Sequence, residues 1–143
     1  MQNKKLKLSA QVYIALSALS LLYVSMMAFV SPQAVMDLVQ VNLTNNDAIS
    51  SIRGVYGGVG LTLFISLVWL MLKDVPKGLG FLCLLWSLYA LSRVITIISD
   101  GTLGAFGRQW LLTESLLFAI GAVLFIKVNT STHHSTTPYE TGK

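Results

Sequence analysis

The sequence is short of cysteine and short of charge. Its one cysteine, Cys83, stands inside an apolar run. A single thiol cannot close an internal disulfide, form a Cys-x-x-Cys redox pair or complete a zinc site, so Cys83 reads as a small core or lipid-facing residue. Only 11% of the 143 residues are charged, against about 25% in an ordinary soluble domain. With 54% apolar residues and a mean hydropathy of +0.68, much of the surface has to face hydrocarbon. The net charge of +4 comes from scattered basic residues with no soluble basic face, which argues against nucleic acid as a partner. There is no phosphate-binding glycine loop, no nucleophile elbow, no metal-spaced cluster of His, Cys and carboxylates, and no internal repeat. No catalytic residue, metal site or cofactor is assigned on this evidence.

What is present is four long apolar runs, at about 9–30, 52–72, 79–98 and 110–128. Each approaches the ~20 residues that carry a helix across ~30 Å of hydrocarbon. Lipid satisfies no backbone polar groups, so runs of this length without alternation predict helices. The expected fold is an all-α membrane protein, a four-transmembrane-helix bundle occupying residues 1–128, followed by a mobile polar cytoplasmic tail over 129–143. The first run follows "KKLK" but is longer than a signal peptide's apolar core and has no clean cleavage site, so it reads as a retained helix. Lys4, Lys5, Lys7, Lys73, Lys77, Lys127 and Lys143 fall on one side, Arg53 and Arg108 on the other. That bias places both termini in the cytoplasm. In the 31–51 connection, Ser31 and Pro32 suit the start of a short helix with Val35, Leu38 and Val39 on one face, although an irregular loop fits nearly as well. His133 and His134 have no further ligands nearby and read as part of the solvated tail.

Toward the outer ends of the runs stand three charged residues, Arg53, Arg93 and Glu114, with Asp100 just beyond the third. Such groups cost ~2.5–3.5 kcal/mol at the centre of a membrane helix. From the expected helix ends, Arg93 and Glu114 are ~7 Å and ~6 Å deep on the outer side. Sharing a level, they can pair across helices, the carboxylate accepting an arginine fork in bidentate fashion. Trp86, Tyr89, Arg93, Thr96 and Asp100 recur at steps of three and four on the third helix, and Arg53, Tyr56, Gly57 and Gly60 line the second. Tyr23 on the first can approach the same level. Gly54 and Gly58 form a Gly-x-x-x-Gly pair that suits close helix packing or leaves room for a ligand. With Arg53 at the helix N-terminus, the opening "RGVYGG" reads as an anion-friendly mouth. The candidate polar cluster is Arg53, Tyr56, Gly57, Gly58, Tyr89, Arg93, Asp100 and Glu114. It either holds an anionic or amphipathic ligand, such as a lipid or a quinone, or fixes the bundle and organises a membrane complex. In the plainer version, Arg53 snorkels to the interface and the glycines only pack.

"RGVYGG" at 53–58, "LSRVITIISDG" at 91–101 and Glu114 resemble a bacterial family of small four-helix membrane proteins, domain-of-unknown-function family 4345. The resemblance covers about residues 10–126. Ser92 and "GTLGAFG" depart from its pattern, where glycine precedes the arginine and proline follows Asp-Gly. That family is distantly similar to DoxX-like proteins. The resemblance implies a multi-pass protein of the bacterial inner membrane and supplies no activity. A non-enzymatic protein is expected, with membrane lipids and a protein partner or a second copy as its associates. The alternative is a transporter or channel subunit with Glu114 as its ion or proton site.

Overall fold

Helix one starts far ahead of its apolar run. In a computed structural model, which describes residues 2–133, α1 spans Gln2–Val30 and carries Lys4, Lys5 and Lys7 in its first turns. α2, Pro32–Asp37, is a short helix in the long connection. The second crossing is one continuous helical rod built of three pieces: α3, Asn46–Ile52; a π-helical segment, Arg53–Val59; and α4, Gly60–Lys73. α5, Val75–Asp100, and α6, Ala105–His133, complete the chain. Four of these rods are long and apolar enough to cross a membrane, and the described residues contain no strand. The protein is a multi-pass, all-α four-helix bundle. Residues 129–133, expected in the polar tail with His133, extend α6 instead. The remainder of that expected tail, with His134, lies outside the described residues.

The bundle has a terminal end, holding the start of α1 and the end of α6, and a loop end, holding the 31–45 connection and the turn after Asp100. α1 packs chiefly on the second rod and α5 chiefly on α6. The reversal between α4 and α5 is a single residue, Asp74, whose backbone N–H donates to Leu70 O at 2.7 Å. Its carboxylate caps α5 by accepting the Lys77 backbone N–H at 3.1 Å and pairs with Lys77 Nζ at 2.9 Å. These bonds from Lys77 hold the Asp74 carboxyl below its ordinary range. Pro76 sits in the first turn of α5, where a missing N–H costs nothing.

The main core lies in the terminal half. Ala10, Tyr13, Ile14 and Ala18 of α1 meet Leu67 of α4 and Val75, Leu79, Leu82 and Trp86 of α5. Leu8, Leu16, Leu72, Ile98 and Leu112 point outward, as lipid-facing residues do. At the loop end, a smaller cluster of Ala28, Val35 and Met36 seats α2. The expected face of Val35, Leu38 and Val39 is not the buried one: Pro32, Val35 and Met36 are buried, while Leu38 and Val39 are exposed. The reason is that α2 stops at Asp37, and the chain then turns through Gln40 in the left-handed region (φ 60°). Gln33 ties that turn together, donating to Asp37 Oδ1 and Val41 O and accepting from Leu43 N.

Candidate functional site

Arg93 and Glu114 meet across α5 and α6. Arg93 Nε donates to Glu114 Oε2 at 2.7 Å and Nη2 donates to Oε1 at 2.8 Å, a bidentate fork. Glu114 is 1% exposed, so it is desolvated by protein and depends on the arginine for compensation. Measured along their helices, Arg93 lies ~10 Å from the end of α5 and Glu114 ~14 Å from the start of α6. Both lie further from their helix ends than the sequence reading has it, because α5 runs on to Asp100 and α6 begins at Ala105.

Tyr89, one turn before Arg93, lies within electrostatic reach of Tyr56, Glu114 and Arg93. Its ring is 6.1 Å from that of Trp86, centroid to centroid. Tyr56 comes from the π-helical segment and is partly exposed, as is Tyr89. Tyr56, Tyr89, Arg93 and Glu114 therefore form one neighbourhood drawn from three rods.

Arg53 stands outside this arrangement. Its side chain is exposed and donates from Nε to Phe29 O, the carbonyl of α1's penultimate residue, at 3.3 Å. It forms no ion pair among the described residues. Nor does it open a helix. The rod starts at Asn46, capped by the Asn45 side chain accepting Ala48 N–H at 2.8 Å, and the Arg53 N–H is already bonded to Ile49 O and Ser50 O. The mouth of free N–H groups expected at Arg53 is thus absent, because the helix begins two turns earlier. Asp100 ends α5 exposed and pairs with no cation among the described residues. Gly101 follows at φ 100°, a conformation that favours glycine and that stops the helix.

The glycines divide differently from the expected Gly54/Gly58 pair. A Cβ on either of these would meet nothing within 4 Å. The close approach is made by Gly57 and Gly60. A Cβ on Gly57 would come within 3.0 Å of the Phe29 ring, and one on Gly60 within 3.0 Å of Ser25 Cβ. Ser25 Oγ donates to Gly57 O at 2.6 Å, buried between the two rods. Gly54 and Gly58 therefore share the open side of the π-helical segment, and Gly57 lies with Gly60 on the side that meets α1. Tyr23 of α1 is exposed and joins none of these contacts.

A family model described as a domain of unknown function (DUF4345) matches residues 9–125. The chain belongs to this family. The DUF4345 match takes in the whole polar neighbourhood, Arg53, and the Ser25–Gly57 contact. No curated protein and no solved structure matches the chain. Within the DUF4345 region, sequence reasoning passed over Ser25, Phe29 and Tyr13, whose hydroxyl donates to Leu117 O at 2.8 Å and links α1 to α6. The signal for Tyr13 was present: Ser9, Tyr13, Ser17 and Ser20 recur at steps of four and three along α1.

Proposed function

We propose that the protein is a non-catalytic membrane protein that holds an anionic, amphipathic lipid at its loop end. Arg53 contacts the headgroup, and the Arg93–Glu114 pair fixes the helices around it. The observation that carries this reading is the contrast between the two arginines. Arg93 is consumed by Glu114, which occupies Nε and Nη2. Arg53 has only a backbone carbonyl as acceptor and presents the rest of its guanidinium at an exposed rim. A planar fork of donors at membrane-interface depth suits a phosphate oxygen pair. Glu114 as an ion site is less well supported, since both of its oxygens already accept from Arg93.

The bias of lysines toward the terminal end supports cytoplasmic termini, and this reading then has the Arg53 rim facing outward, in a bacterial inner membrane as the family resemblance implies. The test is mass spectrometry of lipids retained in mild detergent, comparing wild type with Arg53→Gln and Arg93→Ala. An anionic lipid enriched in the wild type and lost in Arg53→Gln supports the reading. Identical lipids in wild type and Arg53→Gln overturn it. Loss in Arg93→Ala alone would assign the headgroup to the wrong arginine.

A further inference from the structure

Charge is divided unequally between the two ends of the bundle. Lys4, Lys5 and Lys7 of α1, Lys73 of α4, Lys77 of α5 and Lys127 of α6 all lie toward the terminal end and are exposed. Contacts between the rods fix this placement. Gln11 Nε2 donates to Met71 O at 3.3 Å, and a Cβ on Gly80 would meet the Phe125 ring at 3.3 Å. Each of the six lysines stands beyond these contacts on its own rod, on the terminal side. One acid among the described residues shares that end, Asp74, and Lys77 Nζ takes it at 2.9 Å. Lys4, Lys5, Lys7, Lys73 and Lys127 form no ion pair among the described residues. The loop end carries both signs instead, with Asp37, Asp47 and Asp100 alongside Arg53 and Arg108.

Unpaired like charges repel, so an anion that approaches this end is stabilised by all of them. What surrounds the lysines names its source. Leu8, Leu72 and Ile126 are each the chain neighbour of a lysine, and all three are largely exposed. The lysines therefore mark the level at which the hydrocarbon-facing surface ends. Their stems can lie along that surface with the ammonium groups in the headgroup layer. They are also spread over all four rods. A ring of charge suits a layer of headgroups, whereas an acidic protein segment would meet one side of it. Each ammonium is a compact point charge, without the planar fork that gives an arginine its geometric selectivity. Recognition at this end is by charge and not by headgroup shape.

We propose that the terminal end collects anionic phospholipid headgroups around itself from the leaflet it meets. This surface is separate from the Arg53 rim, which lies in the other leaflet. Held by charge alone, these lipids exchange with the bilayer and are not retained in detergent.

Trp69 is the reporter: it is 60% exposed and one turn from Lys73, whereas Trp86 is buried. The full chain carrying Trp110→Phe is reconstituted in phosphatidylcholine vesicles. Its fluorescence is quenched with phosphatidylglycerol brominated on the acyl chains, against brominated phosphatidylcholine at equal mole fraction. The expected result is an about fivefold preference for phosphatidylglycerol beside Trp69, the worth of one lysine near the membrane surface. Phosphatidylserine, of the same net charge, gives the same preference. Salt at about 1 M, where the screening length is about 3 Å, removes most of it. So does the combined variant Lys4→Gln, Lys5→Gln, Lys7→Gln and Lys73→Gln. Should that variant fail to fold, the salt titration on the unsubstituted lysines decides. Arg53→Gln leaves the preference unchanged, so this surface and the loop-end site fail separately. Equal quenching by the charged and neutral lipids overturns the proposal. So does a preference that survives salt, one that differs markedly between the two anionic lipids, or one that is lost in Arg53→Gln.

Discussion

Two junctions at the loop end solve the same problem in opposite ways. Where α1 meets the second rod, the buried contact is small and uncharged: Gly57 and Gly60 admit Phe29 and Ser25, and one hydroxyl-to-carbonyl bond crosses the gap, with the exposed Arg53 donating to Phe29 O at its rim. Where α5 meets α6, two full charges are brought in and cancelled against each other. In lipid, apolar side chains gain little by leaving the bilayer for each other, so helices associate through close packing and polar contacts. The first junction uses both at low stakes. The second is strong only while both partners are present, because either charge alone is left without compensation. The same difference runs through the arginines: Arg93 is engaged by both oxygens of Glu114, whereas Arg53 meets only the Phe29 carbonyl.

The largest effect should come from breaking the charged junction. Glu114→Gln leaves the Arg93 guanidinium without its carboxylate and should destabilise the bundle by about 3–5 kcal/mol, measured by reversible unfolding in mixed micelles. The small-residue junction should respond next, and selectively. Gly60→Ala brings its methyl to 3.0 Å from Ser25 Cβ and should cost about 1–3 kcal/mol in the same assay. Gly54→Ala and Gly58→Ala meet open space and should be neutral or stabilising by up to about 1 kcal/mol. If all three glycines respond alike, the assignment of faces is wrong.

Ser25→Ala removes one buried interhelical hydrogen bond and should cost about 0.6 kcal/mol, the average for such bonds in membranes. An effect as large as that of Glu114→Gln would erase the contrast between the junctions. The smallest effect belongs to Asp74 at the opposite end. Its folded carboxyl titrates below the unfolded value, so its contribution is complete above about pH 3.9 and is lost as pH falls through the lower folded value. Asp74→Ala should abolish that acid-limb loss of stability while leaving the neutral-pH lipid complement unchanged.

The four rods were legible because apolar runs of membrane length leave the backbone no other choice. The meeting of Arg93 and Glu114 was legible for a related reason: two opposite charges at similar depth on sequential helices are costly apart. The start of the second rod was hidden because Asn46, Asp47, Ser50 and Ser51 are polar while still helical, extending the rod beyond its apolar run. The Asn45 cap and the acid at Asp47 were the available signals. The face of the glycines could not be read at all. That face depends on the π-helical segment Arg53–Val59, and "RGVYGGV" carries no apolar stripe whose period would reveal it.

The most direct test of the two-junction account is a double-mutant cycle across Arg93 and Glu114, using Arg93→Met, Glu114→Leu and the pair together, with unfolding free energy as the readout. The account predicts that each single variant is severely destabilised and that the double variant recovers most of the loss, since it leaves no unpaired charge. Additive losses in the double variant would contradict it, showing that Arg93 and Glu114 do not hold α5 to α6 by their pairing.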